Sequence, residues 1–425
     1  MSDVALLAVL LAPLVVMAVL LLRGYATGPL VRALLQRYRW INAVFVLLIA
    51  VSVGTGVGLV AQERALRVGT AESASKFDLI VGAPGSELTL MLAAVYLRPS
   101  AVQLVDGEVY EAVASHPRTV FAAPLAFGDS YAGAPVVGTT ADFVEHLGDG
   151  VLEGRVFDDP FEAVAGAGVP VEIGEVFVPL HGVGDQAEAG LHDDEITVVG
   201  RLPVTGSPWD HAILTPVEGV WLVHGLADGH APENAGQIGP PFDAAYFPGT
   251  PAIVVRGDGL GGTYMLQTQF SQRADTMAFF PGAVLSRLYG VMGDVRNAMS
   301  LMATVTQVLV ALGVLTGLFI LTRLYARQLA LLRVLGASTR FVLAVVWSYS
   351  VVLLALGTVL GVLVGFAVAG VLSGIVAEQT NILIEARLGW REVHLAAGFL
   401  GIASVLSVVP GALSLSRPAV ALRQV

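Results

Sequence analysis

The stretch Arg323–Arg340, RLYARQLALLRVLGASTR, decides the fold. It carries four arginines and no acid, and it lies between two uncharged apolar runs, Met299–Thr322 and Phe341–Ala377. A helix needs ~20 mainly apolar residues to cross the hydrocarbon core of a bilayer. Short loops rich in Lys and Arg stay on the cytoplasmic side. The two apolar runs therefore read as spanning helices joined by a cytoplasmic loop.

The same contrast organises the rest of the chain. Three more uncharged runs occur at Val4–Leu22, Ile41–Ala61 and Val393–Leu415. The segments 23–40, 323–340 and 415–425 together carry ten Arg and no Asp or Glu, whereas 62–298 carries thirty of the thirty-four acids against eleven basic residues. Five spans put every basic cluster inside. The N-terminus and 62–298 are then outside, 378–392 is a short external loop, and 416–425 is a cytoplasmic tail. Phe341–Ala377 is long enough to be cut into two spans, but that would move Arg417 and Arg423 outside, so one tilted helix is expected. Val4–Leu22 lacks the positive n-region and small-residue cleavage site of a signal peptide. A true span is expected there, with an interfacial helix as the alternative.

Composition closes off several functions. With 55% hydrophobic and 13% charged residues the chain is too apolar for an ordinary soluble protein. A net charge of −11 is opposite to what a phosphate-binding surface requires, so nucleic acid is excluded as a partner. Cysteine is absent, which removes disulfides, thiolate metal sites and cysteine nucleophiles. The spans hold no Asp, Glu, Lys, Arg or His apart from His394 at one edge, which argues against a carrier moving ions through its own helices. Lys76 is the only lysine and no G-x-x-x-x-G-K-[ST] loop exists, so any ATP hydrolysis must occur in another subunit.

Glycines inside the spans suggest close helix packing. Gly357, Gly361 and Gly365 recur every fourth residue, Gly370 and Gly374 continue the series, and Gly313 and Gly317 form a pair. Glycines at i and i+4 share a face and let two backbones approach, within one chain or across a homodimer.

The external segment 62–298 reads as an α+β domain with an inserted β-rich subdomain. The second span continues outward as a helical stalk. Strands are expected at Phe77–Val81, Thr119–Phe127, Ala134–Gly138, Val169–Ile173, Glu175–Leu180, Glu195–Leu202, His211–Thr215 and Ala252–Arg256. Helices are expected at Asp106–Ser115, Ala141–Leu147 and Gly282–Asp294, and Gly225–Pro251 reads as a long loop. Trp209 and Trp221 read as packing residues. The acids beside His192, and His181, His211, His224 and His230, lack the close spacing of a local zinc motif, so no metal is expected. No hydrolase motif is present either.

In the basic loop, Leu329, Leu332 and Leu335 or Val334 fall on one helical side, flanked by Arg327 and Arg333 and ended by Gly336. From the residues alone, such a helix fits a groove on a soluble partner or a headgroup surface equally well. The run Arg327-Gln328-Leu329-Ala330-Leu331-Leu332-Arg333-Val334-Leu335-Gly336-Ala337-Ser338 resembles the R-E-I-x-x-L-R-A-L-G-A-S segment of FtsX/MacB-type ABC transporter permeases, the type VII or mechanotransmission systems. Pro410 and Arg417-Pro418-Ala419-Val420-Ala421-Leu422-Arg423 resemble the ending of that family, and Phe77–Gly82 and Val198–Gly200 resemble parts of its external domain. There are two departures. Gln328 replaces the usual acid, and Val4–Leu22 adds a span to the usual four, with the helix at Leu30–Arg39 fitting the amphipathic N-terminal role.

The resemblance implies a non-catalytic permease of the bacterial inner membrane, working with a second permease copy or paralogue. Its partner would be a dimer of cytoplasmic ABC ATPases that holds the ATP and Mg. The ATPase-coupling residues would be Arg327, Gln328, Leu329, Leu331, Leu332, Arg333, Leu335, Gly336 and Ala337. The external domain would handle a lipoprotein, an exported molecule or a cell-envelope factor, with a periplasmic or outer-membrane partner. The alternative is an ATPase-independent sensor or binding ectodomain on membrane anchors.

Overall fold

The computed structural model describes residues 2–98, 100–182, 194–290, 331–380 and 386–409, with scattered positions between 301 and 320 and residue 412. The chain divides into two compact units: Met1–Leu66 with Gly293–Ile375 and Glu385–Val425, and Arg67–Met292 with Val376–Ile384.

The first unit is helical. Helices α1 (Asp3–Leu22), α2 (Gly28–Arg37), α3 (Arg39–Ser73), α9 (Thr339–Thr380) and α10 (Trp390–Leu406) are its described elements, with α3 and α9 running on into the second unit. Among the described residues, three helices are long and apolar enough to cross a membrane: Asp3–Leu22, Arg39–Ser73 and Thr339–Ala377. α9 is one unbroken helix of 42 residues, so Phe341–Ala377 is not split. α3 likewise continues past Ala61 as one helix of 35 residues, about 50 Å at ~1.5 Å per residue. α10 is shorter at 17 residues, and most of Met299–Thr322 lies outside the described residues.

α1 lies along α10. A Cβ at Gly401 would strike the Leu10 carbonyl oxygen, and His394 Nε2 lies 3.0 Å from the Asp3 carbonyl oxygen. The unit's core joins Ile49, Val53 and Val57 of α3 to Val342, Val345, Val346, Tyr349 and Leu353 of α9 and to Ala396 and Ala403 of α10. Two polar groups inside it are paired: the Tyr349 hydroxyl donates to Asn42 Oδ1, and Asn42 Nδ2 donates to the Leu35 carbonyl at 3.1 Å. Glu392 is wholly buried; its Oε2 accepts from the Gly389 N–H at 2.9 Å and from Arg64 Nη1 at 3.1 Å. That pairing offsets the desolvation cost of a buried carboxylate.

The second unit is a mixed α/β domain built on a sheet in the order β11-β1-β10-β2-β3-β9-β5-β8-β4. Its strands are β1 (Leu79–Gly82), β2 (Thr119–Tyr131), β3 (Ala134–Thr139), β4 (Glu153–Gly154), β5 (Glu162–Ala165), β6 (Val176–Phe177), β7 (Leu180–His181), β8 (Ile196–Arg201), β9 (Ile213–Pro216), β10 (Ala252–Gly257) and β11 (Met277–Phe279). β2 is the hinge of the topology. Its first half pairs with β10 over Thr119–Leu125 and its second half with β3 over Ala126–Tyr131. The β2–β3 hairpin turns on Ala132 and Gly133, both with positive φ, the geometry of a two-residue turn matched to strand twist. Two cores follow. One lies around Leu79, Tyr110, Trp221, Ile253 and Phe270, and the other around Val136, Ala163, Val171, Phe177 and Val198.

Helices α4 (Glu87–Ala94), α5 (Gly107–Ala114), α6 (Ala141–Leu147), α7 (Val217–Val223) and α8 (Leu260–Ser271) cover the sheet. α5 starts at an Asp106 cap, whose Oδ1 accepts from the Val109 N–H at 3.0 Å. Residues 281–290 are helical as expected; 291–294 lie outside the described residues.

The expected strand Val169–Ile173 is absent. Val169 and Val171 are buried, but the carbonyls of Gly166, Ala167 and Val169 accept from the Arg201 guanidinium at 3.1–3.4 Å, as does that of Val171. A side chain thus satisfies groups that a ladder would otherwise bond. Glu175–Leu180 shrinks to the short strands β6 and β7. Trp209 is fully buried against Phe143 and Phe77, at ring separations of 5.2 and 6.0 Å, as a packing residue should be.

Candidate functional site

The basic loop is described from Leu331 onward; Arg327, Gln328 and Leu329 lie outside the described residues. Residues 331–334 form a last helical turn that closes on Gly336. The Gly336 N–H donates to the Arg333 carbonyl at 3.1 Å and the Ala337 N–H to the Leu332 carbonyl at 2.9 Å, while Gly336 takes φ +96°. This pair of bonds is the Schellman closure, in which glycine carries the left-handed residue without steric penalty. The chain then reverses into α9, whose start is capped by the Ser338 hydroxyl accepting from the Phe341 N–H at 3.2 Å.

The closure sorts the apolar side chains. Leu332 and Ala337 are partly buried and pack against the helical core that includes Val31 of α2 and Val342 and Val345 of α9. Leu331, Val334 and Leu335 point away, 53, 73 and 83% exposed. These three sit at i, i+3 and i+4, one helical face. The sequence grouping of Leu332 with Leu335 is therefore corrected: Leu332 anchors the turn, and Leu331 takes its place on the outward face. Arg333 is exposed beside them. Tyr25 fixes the other side of the turn through its hydroxyl, 3.0 Å from Ser338 Oγ, and its ring, 5.6 Å from that of Phe341. The Arg340 guanidinium donates to the Leu20 carbonyl.

The glycine series meets α3 of the same chain. A Cβ at Gly357 would lie 2.5 Å from Ile49 Cβ, one at Gly361 2.8 Å from the Ala50 carbonyl oxygen, and one at Gly365 2.5 Å from the Gly54 carbonyl oxygen. Gly54 and Gly58 of α3 return the contact, with a Cβ on Gly54 3.0 Å from the Gly361 oxygen. The seam ends there. Among the described residues, nothing lies within 4 Å of a Cβ at Gly370, Gly374 or Gly313, whereas one at Gly317 would strike the Phe45 ring.

In the external domain the histidines fall into distinct settings. His230 and Glu218 are both buried, with Nε2 3.5 Å from Oε1, and burial pushes the Glu218 carboxyl up. His211 is exposed below Gly168, and His192 lies outside the described residues. His181 and His224 converge on Asp129. That cluster was invisible to spacing, because its members come from β2, β7 and the residue after α7.

Compared with known proteins, residues 300–419 match the family model of the FtsX-like permease C-terminal region. Among curated proteins nothing matches the chain. The periplasmic region of MacB from Actinobacillus actinomycetemcomitans is similar at 10% identity and a TM-score of 0.32, covering 51% of this chain and 94% of that one. The matched segment contains the basic loop, its glycine-closed turn and the long helix after it, so this part of the chain is similar to the C-terminal region of FtsX-like permeases.

Proposed function

We propose that this chain is the membrane subunit of a mechanotransmission ABC transporter of the bacterial inner membrane. A separate cytoplasmic ATPase dimer docks on the outward face of the 331–338 turn. Closure of that dimer on ATP pushes two permease copies together, and the motion reaches the external domain, which handles its substrate outside the membrane. The observation that carries this reading is the turn itself. It exposes three apolar side chains and an arginine while its opposite side is tied to the helical core. An exposed apolar face on a rigid support fits a groove on a partner. The permease match over 300–419 supports the same reading, as does the five-span topology drawn from charge.

The glycine seam adds a mechanical argument. α9 and α3 touch backbone to backbone at three points, so a displacement of the turn moves both helices together rather than being absorbed by side chains. Because α3 occupies that seam, a second permease copy must use another face of α9.

The test is co-purification. Val334→Asp with Leu335→Asp places two charges on the proposed contact without touching the anchor Leu332. The expected result is loss of the ATPase subunit from a permease that still purifies intact. An undiminished complex would overturn the docking role.

A further inference from the structure

We propose that Asp129, His181 and His224 form a binding site for a divalent transition-metal ion of the zinc class on the external domain. One suitable ligand atom from each residue lies within 4.8 Å of the other two. Asp129 Oδ1 stands 3.5 Å from His181 Nδ1 and 3.5 Å from His224 Nε2. A charge-assisted N–H···O bond closes to about 2.7–2.9 Å, so these separations are long for direct ion pairs. They match a shared ion, because two ligands ~2.0–2.1 Å from a tetrahedral zinc stand about 3.3 Å apart.

Each ligand is held by the fold. Asp129 and His181 are directly opposed in the antiparallel β2–β7 pairing, and the Gly182 N–H donates to the Gly128 carbonyl at 2.7 Å beside them. The register of β2 against β3 shifts between Phe127 and Asp129, a bulge of the kind that re-aims side chains next to sites. His224 follows α7, and its Nδ1 lies 2.7 Å from the Val220 carbonyl oxygen. A carbonyl only accepts, so Nδ1 carries a hydrogen, and Nε2 on the side of Asp129 is the ring atom placed to ligate. A ligating histidine usually has its other N–H held by a carbonyl or carboxylate in this way. Asp129 is 2% exposed, while both histidine side chains reach solvent, which leaves an approach for the ion. The donor set of two imidazoles and one carboxylate suits zinc, and also nickel or copper, better than magnesium or calcium. In a chain without cysteine, the ion would staple β7 and α7 to β2.

The experiment uses the full-length permease in detergent, purified on a tag without histidine and stripped with chelator. Zinc chloride is titrated, bound metal is counted by elemental analysis, and the visible d–d spectrum of the cobalt-substituted protein is recorded. One zinc per chain is expected, with the spectrum of a low-coordinate cobalt site. Asp129→Asn, His181→Ala and His224→Ala should each weaken binding by about tenfold or more, since even outer-shell losses cost ~10–100-fold; His211→Ala should not. Circular dichroism of the stripped variants separates loss of ligand from loss of fold, and Asp129→Asn keeps the shape of the side chain. Binding that survives in all three folded variants, or a wild-type chain that takes up no zinc, would overturn the site.

Discussion

Adding one methyl group at Gly365 tests the packing of α9 on α3 directly. The new Cβ would sit 2.5 Å from the Gly54 carbonyl oxygen, 3.0 Å from Gly54 Cα and 3.1 Å from its carbonyl carbon. Ordinary Cβ contacts begin near 3.4 Å, so the two helices must part by about 1 Å. No rotamer relieves this, because all three obstructing atoms are backbone. Overpacking of a tight core costs about 1–3 kcal/mol. Opening the seam also weakens the Gly361–Ala50 contact one turn away, so the upper part of that range is expected. Gly370→Ala on the same helix is the control. Among the described residues nothing lies within 4 Å of its Cβ, and replacing glycine by alanine inside a helix gains up to ~1 kcal/mol. That gain applies at Gly365 as well, so the two substitutions should differ by the overpacking cost, about 2–3 kcal/mol, with Gly365→Ala destabilising and Gly370→Ala not. Thermal unfolding of the purified permease in detergent, read by intrinsic fluorescence, measures the difference. Equal midpoints for Gly365→Ala and Gly370→Ala would refute the seam.

Two further outcomes follow from charge. Arg64→Ala leaves Glu392 buried without its guanidinium, and breaking a buried pair in this way costs ~3–5 kcal/mol. A double change of Arg64→Ala with Glu392→Gln should recover much of the loss, and thermal unfolding of the single and double variants gives the comparison. In the external domain, hydrogen bonding to Arg155 holds the Glu162 carboxyl down at about 2. A depressed folded value contributes stability that is present above the unfolded value near 4.5 and is lost as pH falls toward 2. Stability of the wild-type chain should therefore fall through that window more steeply than that of Arg155→Ala, as followed by denaturant unfolding at stepped pH.

How much of this could be read from the residues depends on where the information lies. The long helices α3 and α9 follow from uncharged apolar runs, and the placing of Gly336 at a helix end follows from its need for positive φ. α8 is harder to see, because Gly261 and Gly262 stand in its first turn and its apolar residues keep no period. The sequence marks Val169–Ile173 as a strand, and only the distant Arg201 shows why it is not one. The turn needed three dimensions to separate Leu332 from Leu331, since both are leucines one residue apart and only the packed helical core decides which is covered. Asp129, His181 and His224 are far apart in the chain, so nothing local announces them. Their meeting depends on the β2–β7 register and on where α7 ends.

The coupling claim itself is tested most directly at Leu335. A photo-reactive residue at this position, activated in intact membranes, should crosslink to a cytoplasmic ATP-binding subunit, identified by mass spectrometry of the adduct. A crosslink to lipid alone, or to a protein on the outer side of the membrane, would contradict the account.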